Sequence, residues 1–224
     1  MSGNANGTPA GAAASKVFGA SSRVLYDYFA FVMLEPVPLE GSDYLKSLGD
    51  MTDELLDEAC DERASGPFEQ MSAWISEALC GDDPEEAQRR LAVDRTYLFR
   101  GVDEKGPLPP YEGFYSKAGE SAIAAVGRAY AAAGVHPSNN ERCDYLGQEM
   151  AFVSVLAQKE DAARLREEGT SADELKAMLE EFEAEHLAPW VGSYCSAALP
   201  FARTGYFEGF LRSLDLWAGV KGLL

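Results

Sequence analysis

The sequence YLFRG at residues 97–101, followed by PLPPYEGFY at residues 107–115, decides how the rest of the chain is interpreted. Gly101 is the residue type that most often takes the left-handed conformation that ends a helix. Three prolines lie between residues 107 and 110, where they keep the backbone extended and remove amide donors. We therefore predict that a helix ends at Gly101 and that a stiff loop without regular secondary structure follows it.

The side chains of this loop allow two interpretations. Tyr111, Glu112, Phe114 and Tyr115 would be presented to a ligand from a backbone that is already ordered, which lowers the entropic cost of binding. Alternatively, the loop is a rigid connection between helices, and its aromatic side chains fill the core. The loop by itself does not choose between these interpretations.

Helical periodicity extends outward from the loop in both directions. Apolar residues recur at three- and four-residue intervals, and no segment alternates with a period of two for long enough to be a strand. We predict an all-α protein of about nine or ten helices, with one helical-bundle domain over residues 18–224 after a disordered tail over residues 1–17. The predicted helices cover residues 22–34, 50–63 after a short helical turn at 44–48, 65–80, 84–100, 117–133, 140–168, 171–185, 190–203 and 205–220.

Several helix boundaries have specific signals. Asp83 followed by Pro84 predicts a capped start, and Gly101 predicts the end of the same helix. Asn139 or Asn140 is the predicted cap of the helix over residues 140–168, and Gly169 is the predicted break after it. Ser171 opens a predicted capping box for the helix that follows.

The charge of the chain limits its partners. Its 224 residues include 19 Lys and Arg against 37 Asp and Glu, a formal net charge of -18. Such a charge disfavours nucleic acids and anionic membrane surfaces, and it favours basic partners or simply high solubility. Most of the acidic side chains are expected on solvated helix faces.

No pattern in the sequence indicates an enzyme, a metal site or a cofactor. Phosphate-binding, nucleophile-elbow and dinucleotide-binding patterns are absent, and the two histidines have no metal-ligand spacing around them. The start of the chain lacks the basic and apolar parts of a secretory signal, and no apolar run is long enough to span a bilayer. We expect a soluble cytoplasmic protein whose cysteines are reduced and mostly buried: Cys60, Cys80, Cys143 and Cys195.

The sequence NERCDYLGQE at residues 140–149 could form an acidic notch. If these residues are helical, Asp144 lies beside Gln148 and Tyr145 beside Glu149. Gly147 would leave a gap where another backbone could approach. Alternatively, the carboxylates only stabilise the positive end of the helix.

Three motifs together resemble one known family. The loop motif, the helix at residues 141–156, and HLAPW at residues 186–190 before TGYF at 204–207 occur in the order and spacing of the TorD/DmsD family of cytoplasmic redox-enzyme maturation chaperones. The resemblance spans roughly residues 20 to 220. It implies an all-helical, non-enzymatic protein that binds the twin-arginine signal peptide of a molybdopterin-containing reductase and holds it back until the cofactor is loaded. It also implies a monomer or a domain-swapped dimer.

The resemblance also implies a site. The family's proline-aromatic motif falls on residues 109–112, and its Asp-His pair falls on Asp144 and Tyr145, so tyrosine replaces the usual histidine. A twin-arginine peptide offers two guanidinium groups and an apolar segment, which Glu112, Asp144 and an aromatic wall would complement. The predicted signal-peptide site comprises Tyr97, Phe99, Pro109, Pro110, Tyr111, Glu112, Phe114, Tyr115, Asp144, Tyr145, Gln148 and Glu149.

Three functions follow from this interpretation. The first is a chaperone for an exported reductase of the dimethyl sulfoxide reductase type. The second is a chaperone for a respiratory nitrate reductase, whose catalytic subunit can lack an export signal. The third, from another class, is a nucleotide-hydrolysing helical protein, which the absent phosphate loop disfavours.

Overall fold

The computed structural model describes residues 23–56, 65–81, 83–101, 105–137 and 140–220, and these contain ten α-helices and no β-strand. The prediction of an all-helical protein is confirmed. The helices are α1 (residues 23–34), α2 (Ser42–Leu56), α3 (Ser65–Cys80), α4 (Pro84–Arg100), α5 (Glu112–Tyr115), α6 (Ser121–Ala132), α7 (Leu146–Leu165), α8 (Gly169–Phe182), α9 (Val191–Ala198) and α10 (Gly205–Val220). A π-helical turn (Glu183–Leu187) follows α8, and a 3₁₀ turn (Leu199–Phe201) follows α9.

The centre of the core is a cluster of phenylalanines in which α1, α4 and α10 meet. Phe99 packs edge-on against Phe207 at 5.6 Å and against Phe210 at 5.9 Å between ring centroids. Phe29 meets Phe210 at 5.9 Å. All of these side chains are fully buried, and each contributes about 1.5–3 kcal/mol of hydrophobic free energy. This cluster holds the end of α4, and therefore the start of the proline loop, against the last helix.

The boundaries of α4 match the sequence signals. The side chain of Asp83 accepts a hydrogen bond from the amide of Glu86 at 3.0 Å, and Pro84 is the first helical residue. Gly101 ends the helix with φ 60° and ψ 44°, which is the left-handed conformation expected of it. A Cβ atom on Gly101 would lie 2.7 Å from Cδ of Pro109, so the glycine also allows the proline loop to fold back closely.

Two predicted helices begin elsewhere in the structure. The turn at 44–48 and the following helix form one continuous helix, α2, and residues 57–63 lie outside the described residues. α8 begins at Gly169, so the predicted break there and the capping box at Ser171 are wrong. The chain reverses two residues earlier, where Glu167 has a positive φ of 62°.

Other boundaries shift by a few residues. α6 begins at Ser121 rather than residue 117. The helix predicted for residues 190–203 ends at Ala198 and continues as the 3₁₀ turn, because Pro200 has no amide hydrogen to continue an α-helix. α3 and α10 have the predicted starts.

The cysteines are less uniformly buried than expected. Cys195 is buried, but Cys143 is only partly buried and Cys80, at the end of α3, is exposed. Cys60 and the tail predicted for residues 1–17 lie outside the described residues. None of the helices described in the structure has the length and hydrophobicity needed to cross a bilayer.

Candidate functional site

A short backbone pairing joins the proline loop to the residues before α7. The amide of Glu112 donates to the carbonyl of Asp144 at 2.8 Å, and the amide of Leu146 donates to the carbonyl of Pro110 at 2.9 Å. These bonds form an isolated antiparallel bridge between Tyr111 and Tyr145. The prediction that the loop has no regular structure is therefore wrong, since it contains this bridge and the single turn α5. The bridge places Glu112 next to Asp144.

The same pairing delays the start of the next helix. The structure begins α7 at Leu146, not at residue 140 as predicted. Asp144 therefore precedes the helix, and Tyr145 is its N-cap, whose carbonyl accepts a hydrogen bond from the amide of Glu149 at 3.0 Å. The gap expected at Gly147 is filled by α1 and Tyr145, because a Cβ there would lie 2.9–3.1 Å from side-chain atoms of Tyr145, Met33 and Leu34.

The aromatic residues of the loop fall into an inner and an outer group. Tyr115 stacks on Trp190 with ring centroids 5.9 Å apart, and its hydroxyl donates to the carbonyl of Leu108 at 2.6 Å. This contact closes the loop over the core. Phe114 lies outside, 47% exposed, with its ring edge-on to Tyr111 at 5.6 Å. The loop thus packs Tyr115 against the core, as the second interpretation expects, and leaves Phe114 at the surface.

Asp144 is fully buried and is held by Arg142. Nε and Nη2 of Arg142 donate to the two carboxylate oxygens at 2.9 and 2.7 Å, and the amide of Gly113 donates to one of them at 3.3 Å. The guanidinium carbon lies 4.4 Å from the ring centre of Tyr111 and 5.5 Å from that of Phe114. The bond to Asp144 raises the pKa of Arg142. Arg142 was absent from the predicted site, although it lies two residues before Asp144.

Glu112 is buried against the π-helical turn. Its Oε2 lies 3.0 Å from Nδ1 of His186, and the imidazole packs on Phe182 at 4.8 Å between ring centres. A π-helical turn holds an extra residue, which changes the direction of the side chains that follow. In the sequence, His186 stands out only as the first residue of the HLAPW motif, and no local pattern around it indicated that it would reach Glu112.

Glu149 completes a buried acidic cluster with Glu112 and Asp144. Its side chain has no exposed surface, and neither carboxyl oxygen has a hydrogen-bond partner of ordinary geometry. Burial is the largest cause that raises the pKa of Glu149, followed by the negative charges of Glu112 and Asp144, with a smaller contribution from hydrogen bonding to Glu112. Gln148, beside it, is also buried.

Tyr145, at the position where the family has histidine, points away from the carboxylates. It is fully buried, its hydroxyl donates to the carbonyl of Met33 at 3.0 Å, and Arg100 lies over its ring at 5.5 Å. Arg100 also pairs with Glu141, which accepts a hydrogen bond from the Tyr111 hydroxyl at 2.8 Å. Burial raises the pKa of Tyr145, so it serves as a neutral hydrogen-bonding aromatic.

The two α4 residues of the predicted site take structural positions. Phe99 belongs to the core cluster described above. Tyr97 is buried beneath Arg203, whose guanidinium carbon lies 3.7 Å from its ring centre. Neither residue lines the surface grooves around the loop. The end of α4 is buried through three successive residues, so its aromatics meet other helices and not an open wall.

Two surface grooves lie on either side of α6. We call the first the loop groove; it has a volume of about 550 Å³ and is lined by Gly113, Phe114, Glu120, Ile123, Ala124 and Arg142. We call the second the π-turn groove; it has a volume of about 320 Å³ and is lined by Ala125, Arg128, Ala129, Ala132, Phe152, Met178, Glu181, Phe182, Glu185 and His186. Each groove contains the partner of one buried carboxylate, Arg142 for Asp144 and His186 for Glu112.

The described residues contain no group of His, Cys, Asp and Glu side chains arranged to hold a metal ion. The surface instead combines aromatic and aliphatic side chains with carboxylates. Such a surface suits a basic, partly apolar peptide. Around the loop, the described helices therefore present exposed carboxylates beside aromatic and aliphatic side chains.

The family described as "Nitrate reductase delta subunit" matches residues 57–196, which is more than half of the chain and includes the whole cluster. The chain belongs to this family, which comprises chaperones of the NarJ/TorD type, and the resemblance found in the sequence is confirmed. No curated protein matches the chain. Members of the family bind a molybdoenzyme catalytic subunit and assist its maturation without being catalytic themselves. The protein is therefore a maturation chaperone of a molybdoenzyme.

Proposed function

We propose that this chaperone binds the twin-arginine signal peptide of a catalytic subunit of the dimethyl sulfoxide reductase type in the cytoplasm. In this proposal it holds the subunit back from export until the molybdopterin cofactor has been loaded. The observation that carries the proposal is the pair of grooves flanking α6, which combine apolar surface with carboxylates and each contain the partner of one buried carboxylate.

The π-turn groove suits the apolar part of a signal peptide. Ala125, Ala129 and Met178, all partly buried, supply its accessible apolar surface over the buried rings of Phe152 and Phe182. Methionine is flexible and polarisable, so it can adapt to different client sequences. Glu181 and Glu185 lie on the same groove and are exposed, which provides carboxylates for cationic residues next to the apolar segment.

The loop groove suits the arginines. Its carboxylate Glu120 is exposed, Asp144 lies beneath Arg142, and Phe114 offers an exposed aromatic face. Guanidinium groups bind carboxylates in a bidentate geometry and stack on aromatic rings. Glu112 lies below this surface with His186 as its partner, so in this proposal it supports the site from within and does not contact the peptide first.

The net charge of -18 adds a long-range contribution. A strongly acidic protein attracts a cationic peptide and speeds the encounter, and salt weakens this effect. Peptide association should therefore be faster at low ionic strength.

The family description favours a second candidate, a maturation chaperone of a respiratory nitrate reductase. The client would then be a catalytic subunit without an export signal. Capture of the co-purifying subunit from the source cells, followed by sequencing of its N-terminus, separates the candidates. A twin-arginine leader supports the first candidate, and a leaderless nitrate reductase subunit supports the second.

Calorimetry with a synthetic leader peptide tests where the peptide binds. Glu120→Lys places a cation in the loop groove and should weaken binding by about 1 kcal/mol or more at low ionic strength, because like charges at short range repel. Glu69→Lys is the matched control, since it makes the same change in net charge on an exposed position of α3, which lines neither groove. Equal effects of the two variants would mean that only overall charge matters and that the loop groove is not the site.

A further inference from the structure

The guanidinium of Arg142 is bound in the way that a guanidinium ligand would be. Its guanidinium is held by both oxygens of Asp144 and lies against the rings of Tyr111 and Phe114, as described above. Yet 37% of the Arg142 side chain is exposed, whereas Asp144 has no exposed side-chain surface. The arginine thus covers a carboxylate that would otherwise open into the loop groove.

We infer that the Asp144 pocket is a guanidinium-binding site in which Arg142 takes the place of a client arginine, so that the client binds by exchange of one guanidinium for another. This inference rests on the proposed function for the identity of the incoming group. The pocket itself is defined by the geometry of Asp144, Tyr111 and Phe114 and requires no particular client.

The surroundings of Arg142 permit such an exchange. Residues 141–143 belong to no helix, and all three are only partly buried, so the side chain can leave without unwinding a helix. Glu120 lines the same groove and is exposed, which gives the displaced guanidinium another carboxylate. Phe114 stays at the surface, so the aromatic side of the pocket remains in place for the incoming group.

Exchange also explains how the site would distinguish arginine from lysine. A buried carboxylate without a cation is strongly unfavourable, so Arg142 leaves only for a group that satisfies both oxygens. A planar guanidinium does this with two parallel N–H donors, whereas an ammonium group is a single point charge. A twin-lysine peptide should therefore fail to displace Arg142.

The first test uses N-methylguanidinium as a probe. Arg142→Ala opens the pocket, and millimolar N-methylguanidinium should then raise the thermal midpoint of the variant, while methylammonium at the same concentration should not. The wild-type protein should not respond, because its pocket is occupied. The double variant with Asp144→Asn should lose the response. Equal effects of the two cations, or an equal response of the double variant, would overturn the inference.

The leader peptide supplies the second test. Arg142→Ala should bind it about tenfold more tightly than the wild type, since the internal competitor that lowers the apparent affinity is gone. N-methylguanidinium should reduce that binding. Weaker peptide binding by the variant would show that Arg142 is a permanent structural partner of Asp144.

The wild-type protein gives an independent measurement if the alanine variant folds poorly. The Nε proton of Arg142, which donates to Asp144 at 2.9 Å, should give a protected side-chain NMR signal that is absent in Arg142→Lys. Saturation with leader peptide should remove its protection, and an unchanged signal would overturn the inference.

The tests also separate the guanidinium site from the proposed function. If N-methylguanidinium binds to Arg142→Ala but does not compete with the leader peptide, the guanidinium site is retained and this surface is rejected as the signal-peptide site. Peptide binding without probe binding would retain the proposed function and reject exchange.

Discussion

Replacing Glu149 with glutamine should stabilise the protein at neutral pH. Glu149 is completely buried, and the negative charges of Glu112 on α5 and Asp144 before α7 lie close to it. Cys143 and the Tyr130 hydroxyl on α6 are the other titratable groups that interact with it. Burial and the negative charges of Glu112 and Asp144 disfavour the ionised carboxylate, so the pKa of Glu149 lies well above its ordinary value of 4.5.

The sign of the pH dependence follows from this shift. A group whose pKa is higher in the folded state contributes stability that is complete below the unfolded-state pKa and is lost as the pH rises through the folded-state pKa. While the folded state carries one extra proton, the free energy of unfolding falls by about 1.4 kcal/mol per pH unit. Glu149→Gln removes this loss, because the glutamine amide does not ionise.

Urea unfolding of both proteins across a pH series tests the prediction. Near pH 4.5 the two should differ by less than about 0.5 kcal/mol, and above about pH 5 the advantage of the variant should grow with pH, at most by about 1.4 kcal/mol per pH unit. Glu69→Gln, on an exposed face of α3, is the control and should follow the wild type throughout. A difference that does not change with pH, or a variant that is less stable at pH 7, would show that Glu149 is ionised and well partnered in the folded protein.

Two further predictions concern the backbone around the site. In urea unfolding, Gly101→Ala should lower the free energy of unfolding by about 1 kcal/mol or more beyond the loss caused by Gly134→Ala. Both glycines have φ near +60°, but only at Gly101 would a new Cβ lie 2.7 Å from Pro109. Equal losses would mean that the proline ring moves freely. Tyr145→Phe should lower the free energy of unfolding by about 0.5–1.5 kcal/mol, since it removes the hydrogen bond to the carbonyl of Met33 and keeps the ring. An unchanged free energy of unfolding would show that water replaces the hydroxyl at that carbonyl.

Local signals in the sequence determined the helical class and the ends of α4. Asp83, Pro84 and Gly101 act through their own backbone geometry and nearby amides, so their effect does not depend on the rest of the fold. The family resemblance also came from sequence, because it depends on the order and spacing of short motifs.

The interior of the site was decided by tertiary structure. The bridge between Tyr111 and Tyr145 moved the start of α7 and placed Asp144 outside the helix, a result that no local pattern around residue 140 contains. Pairing of Glu112 with His186 depends on a π-helical turn that follows α8 and on the packing of that turn against α5.

Burial likewise separated residues that look alike in the sequence. Glu149 and Glu120 are both glutamates near the start of a helix, yet one is enclosed among other carboxylates and the other lies in an open groove. Whether a carboxylate is solvated, paired or kept protonated depends on the side chains that the fold brings around it from distant parts of the chain. Helix formation is set by nearest neighbours along the chain, whereas the charge and partners of a site are set by neighbours in space.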